Sequence, residues 1–112
     1  MWWCFHLVSL TLAVGSYRTV PVDDEILRLV DKVRPDAEKV LTSRGNNVAF
    51  TTADWDVHEA AVQILRGQKS IVSVTDSTGT LTFCLTIYDE FGKVSLESIE
   101  ACESWIDVAN RG

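Results

Sequence analysis

The chain has 112 residues, 46% of them hydrophobic and 23% charged, with a net charge of −6. That length and composition suit one domain with one core and argue against a disordered chain. The ten Lys and Arg residues are scattered as single positions, so there is no basic patch for nucleic acid or an anionic membrane surface, and no apolar run reaches the roughly 20 residues of a membrane span.

The opening stretch MWWCFHLVSLTLAVGSY carries two readings. As an export leader it offers an apolar core ending in Ala13-Val14-Gly15, a small-x-small pattern that would be cut before Ser16. Residues 1–15 would then be lost, Cys4 with them. As a first strand it offers alternation, with Val8, Leu10, Leu12 and Val14 on one face and Ser9, Thr11 and Ala13 on the other. No Lys or Arg precedes the apolar core, and that favours the strand. The strand reading goes with a cytoplasmic protein, the leader reading with a secreted one.

"TVPVDDEILRLVDKV" predicts a helix start, with Asp23 or Asp24 as cap and acidic residues suiting the helix dipole. Apolar positions then fall at Ile26, Val30, Val33, Ala37 and Val40, a helical rhythm that continues through Pro35. Proline predicts either two nearly collinear helices or one kinked helix, closing at Gly45. Asn47–Thr52 reads as a short strand. "DWDVHEAAVQILRG" reads as a helix capped by Thr52 or Asp54, with Val57, Ala61, Ile64 and Leu65 as its core stripe and Gly67 as its stop.

"SIVSVT" and "TLTFCLTIYD" flank DSTG and predict a hairpin. On its second arm Leu81, Phe83, Leu85 and Ile87 share one face, and Thr80, Thr82, Cys84, Thr86 and Tyr88 the other. "EFGK" is the next turn. A last helix is then expected from Ser95, burying Leu96, Ile99, Cys102 or Glu103, and Ile106. The order β-α-α-β-α-β-β-α, over residues 1–112 as a single α+β domain, fits an about four-stranded, largely antiparallel sheet with helices packed on one face.

Few stretches look like chemistry. "DSTGTLT", from Asp76 to Thr82, resembles the D-K-T-G-T-L-T signature of P-type ion pumps, in which the aspartate accepts a phosphoryl group. It departs at Ser77, where that family has lysine, and the later segments that would supply a lysine and metal-binding carboxylates have no room in the 30 residues that follow. The same loop resembles the D-[ST]-G site of dimeric aspartic proteases, with Thr78 inserted before Gly79. A hairpin loop shaped by Asp and Gly is the simpler account. In "DWDVHE", Asp54 and His58 share a face if the segment is helical, where they could act as a base or bind a metal. Helix capping explains the acids equally well.

Three cysteines, Cys4, Cys84 and Cys102, show no CxxC pair, and only Cys4 has a histidine nearby in sequence, His6, so a four-ligand zinc site is not expected. Cys84 and Cys102 would form a disulfide if they met in an oxidising compartment and stay buried thiols otherwise. His6, inside an apolar run, reads as a core or edge residue. Four tryptophans are many for this length. Trp3 and Trp55 are the two candidates for an exposed interaction site, the alternative being that they cap the edges of the core.

No catalytic, cofactor-binding or metal-binding set assembles from these residues. The expected function is a small acidic, non-enzymatic protein-binding or regulatory module with a protein partner or a second copy of itself. The alternatives are a secreted protein beginning at Ser16 with a Cys84–Cys102 disulfide, and a ligand-binding or hydrolytic domain using Asp76 or the Asp54/His58 pair.

Overall fold

The computed structural model describes residues 13–14, 17–44, 55–75, 79 and 81–111. Along the chain these form β1 (Ala13–Val14), β2 (Tyr17–Val20), α1 (Asp24–Ser43), β3 (Asp56–Leu65), β4 (Gly67–Thr75), β5 (Thr82–Glu90), β6 (Lys93–Ala101) and α2 (Trp105–Arg111). The six strands make one antiparallel sheet in chain order. The α+β class and the antiparallel sheet stand as expected. The strand count, the element order and the packing of the helices on one face do not: two segments expected as helices are strands, and α2 lies on the sheet face opposite α1.

α1 forms where the rhythm predicts it. The Asp23 carboxylate accepts a hydrogen bond from the Ile26 amide at 3.1 Å, which satisfies one of the free amides of the first turn. Asp24 and Glu25 suit the dipole there. Ile26, Leu29, Val30, Val33, Ala37 and Leu41 form the buried stripe. Pro35 lies inside a continuous 20-residue helix, so of the two readings the single helix holds and the pair of helices is corrected. Proline removes one backbone bond, and the buried stripe on either side of it holds the helix together. The helix ends at Ser43, and Gly45 and the strand expected over residues 47–52 lie outside the described residues.

The sheet is buried on both faces. On one, Phe83, Leu85 and Ile87 of β5 join Val72 and Val74 of β4 and the α1 stripe in the main core. On the other, Ala61, Ile71 and Cys84 pack with Tyr17, Trp105 and Val108. β5 thus alternates as its sequence predicts. Its odd-numbered apolar residues face α1, and Cys84 and Thr86 are buried on the opposite side.

Both miscast segments contain a bulge. In β3, Val57 pairs with Val74 and Glu59 with Ser73, leaving His58 as the extra residue. In β6, Ser98 pairs with Thr86 and Leu96 with Ile87, leaving Glu97 as the extra residue. An extra residue turns a side-chain spacing of two into three. Val57 and Ala60, like Leu96 and Ile99, therefore face α1 at a spacing that reads as helical. The helices expected over residues 54–66 and from Ser95 are corrected to β3 and β6. With β3 a strand, Ile64 and Leu65 are exposed rather than core, and Ile106, expected to be buried, is 41% exposed on the short α2.

Candidate interaction site at the paired hairpin tips

β3 and β4 turn at Arg66, with Leu65 opposite Gly67. β5 and β6 turn at Phe91-Gly92, with Glu90 opposite Lys93. β4 pairs with β5 through Gln68↔Asp89 and Lys69↔Tyr88. The two tips therefore project side by side from one end of the sheet, two strand spacings or about 10 Å apart.

The tips are locked together. Gly67 has φ +113°, and a Cβ there would lie 2.6 Å from the Asp89 carbonyl oxygen and 3.1 Å from Glu90 Cα. Only glycine fits so close an approach. The Tyr88 hydroxyl donates a hydrogen bond to the Arg66 carbonyl, tying the second hairpin to the turn of the first. Within the second turn, the Gly92 amide donates to the Asp89 carboxylate at 2.9 Å.

Phe91 stands out at this end. Its φ is +54° and Gly92 follows at +95°. Two positive φ values in a two-residue loop suit a tight hairpin, where Asn-Gly is the unstrained choice. A bulky residue in the left-handed region is uncommon and costs about 1 kcal/mol. Phe91 is nonetheless 84% exposed, with Ile64 at 61% and Leu65 at 54% on the neighbouring hairpin. Three of the five exposed large hydrophobic residues described thus gather at one end, the other two being Leu27 on α1 and Ile106 on α2. Arg66, Glu90 and Lys93 are exposed beside them and form a mixed-charge rim.

The residues singled out in the sequence lie elsewhere. Trp55 is buried at 9% exposure, with Phe83 edge-on to its ring at 5.3 Å and the Arg34 guanidinium 4.5 Å from its centroid. Of its two readings the exposed one is corrected: the ring closes the main core. Trp3, His6, Asp54 and Asp76 lie outside the described residues. His58 is exposed on β3, its Nε2 3.1 Å from Thr75 Oγ1. His58 lies on a strand from Asp56 onward and not on the helix that the pairing with Asp54 assumed. Glu59, from the same stretch, accepts from the Ser73 hydroxyl at 3.2 Å and the Trp105 amide at 3.4 Å, and so anchors the start of α2. Among the described residues no three of His, Cys, Asp and Glu cluster to hold a metal ion. No described helix is long and apolar enough to cross a membrane.

Cys84 on β5 and Cys102, just beyond β6, form a disulfide across 18 residues of sequence. Against known proteins, the chain matches no protein-family model and no curated protein. The tips therefore have to be read on their own chemistry. "EFGK" was legible as a turn, but the exposure of Leu65 was hidden by the helical reading of its segment.

Proposed function

We propose that the protein is a non-enzymatic, protein-binding regulator that docks through its paired hairpin tips. The observation that carries this reading is Phe91, held exposed in a left-handed turn beside the exposed Leu65 and Ile64. Backbone strain that exposes an aromatic ring does nothing for the fold and is common where chains bind. The tips are convex, so the complementary surface is concave and apolar. Clefts of that kind are most often the active sites of enzymes. A cleft that accepts an extended peptide, as in a peptidase, suits a wedge of two extended hairpins. Filling it would block the substrate. The tips are braced against each other, which lowers the entropic cost of docking and disfavours cleavage, because proteolysis favours loose loops.

The disulfide supports an oxidising compartment over the cytoplasm, since such bonds persist outside reducing cells. That favours a secreted setting for the module, and a chain beginning at Ser16 would act without β1, leaving β2 as the edge strand.

The reading is tested by titrating the protein against serine, cysteine, aspartic and metallo-peptidases acting on small fluorogenic peptides. Stoichiometric loss of activity in one class is expected, and a Leu65→Asp/Phe91→Asp variant should lose it with an unfolding midpoint no lower than that of wild type. Inhibition of none, or equal inhibition by wild type and variant, would count against docking by the tips.

A further inference from the structure

Among the described residues, the sheet face opposite α1 is only partly covered. Trp105 and Val108 of α2 pack on it around Ile71 and Cys84. Beside them a groove of about 390 Å³ remains open, with Ile71 and Val108 among its walls. That volume lies in the lower part of the range of small-molecule sites, about 300–1,000 Å³.

One hydroxyl in its lining is buried without a partner: Thr86 is 5% exposed and its Oγ1 bonds to nothing among the described residues. Buried polar groups are nearly always bonded, so this one calls for an explanation. Tyr17, which packs against Trp105 with ring centroids 6.3 Å apart, adds a phenol to the same lining. A threonine on a strand can turn about χ1 to bring its hydroxyl toward a ligand. Ser98 lines the same groove with a third hydroxyl.

The charges of the lining select against ions. The Lys69 ammonium lies 3.4 Å from the Glu97 carboxylate, so its charge is already matched. Lys69 is the basic residue of the lining, and with its charge matched it is not free to hold a phosphate or carboxylate ligand. Burial raises the Tyr17 pKa above 10.0, with Lys69 opposing and Glu97 adding to the shift. The phenol is therefore neutral at ordinary pH and able to donate.

We propose that this groove binds a small neutral polyhydroxylated molecule of monosaccharide size, whose hydroxyls pair with Tyr17, Thr86 and Ser98. Hydroxyls donate and accept at once, as these partners do. Ile71, Val108 and Ala109 supply the apolar part of the lining, against which the C–H groups of such a molecule would rest. The proposal is independent of docking by the hairpin tips.

The test titrates the full chain with glucose, galactose, mannose and myo-inositol, following the methyl signals of Ile71, Val108 and Thr86 by NMR. Saturable shifts at these methyls are expected with at least one probe. Thr86→Val and Tyr17→Phe should each weaken binding about tenfold, the loss of one well-made hydrogen bond. Thr86→Val removes a buried hydroxyl without a partner and should not lower the unfolding midpoint, and Tyr17→Phe keeps the ring against Trp105 and should leave the midpoint near the wild-type value. No saturable shift with any probe would overturn the proposal. So would equal binding by wild type and both variants, or saturation by acetate or butylamine alone.

Discussion

The two ends of the sheet are built in opposite ways. At one end Cys84 is bonded to Cys102, Trp105 is buried beside them, and the Glu103 and Ser104 amides donate to the Asp107 carboxylate at 3.0 and 3.3 Å. Trp55 closes the core over Phe83 at the same end of β5. At the other end the chain exposes Ile64, Leu65 and Phe91 and holds Phe91 in a left-handed turn. The contrast teaches that stability and exposure are separated in space. A stapled end offsets the cost of an end shaped for contact, a division common where function conflicts with stability.

The largest expected effect falls on the stapled end. Replacing Cys84 and Cys102 with alanine should lower unfolding free energy by about 3 kcal/mol, as the unfolded chain loses its cross-link. Urea unfolding with and without reductant measures this. A loss far smaller would mean that the two ends do not differ as described. Next is Gly67→Ala, which puts a methyl group 2.6 Å from the Asp89 carbonyl oxygen at a φ of +113°. It should cost about 2 kcal/mol and separate the hairpins. Weaker amide protection at Gln68 and Asp89 would report the separation, and unchanged stability would contradict the close approach. Smaller again is Tyr88→Phe, which removes the bond to the Arg66 carbonyl and should cost at most about 1 kcal/mol. Faster hydrogen exchange confined to the two tips is the expected signature, and exchange unchanged there would show that this bond does not brace them.

Much of the fold was legible in particular residues. The cap at Asp23, the stripe from Ile26 to Ala37, the alternation of Phe83, Leu85 and Ile87, and the turn at Phe91-Gly92 each follow from local rules. His58 and Glu97 hid the rest. Each is a single bulge residue that shifts the phase of its strand, and no local propensity announces a bulge. Buried on both faces, Ala60, Ala61 and Val62 added a continuous apolar run that cannot by itself distinguish strand from helix. The exposure of Leu65 then followed from the corrected element, not from its own type. Trp55 shows the converse: aromatic surplus suggested a surface, while Phe83 and Arg34 supplied a place for the ring to be buried. The pairing of Cys84 with Cys102 depended on the β5–β6 register, which no spacing of cysteines encodes.

The central claim is that Phe91 is kept exposed at a cost to the fold. Equilibrium unfolding of Phe91→Asn against wild type tests it most directly. Asparagine suits the left-handed position before Gly92, so the account predicts a gain of up to about 1 kcal/mol. A variant that is less stable than wild type would mean that Phe91 supports the fold, and would contradict its assignment to a contact surface.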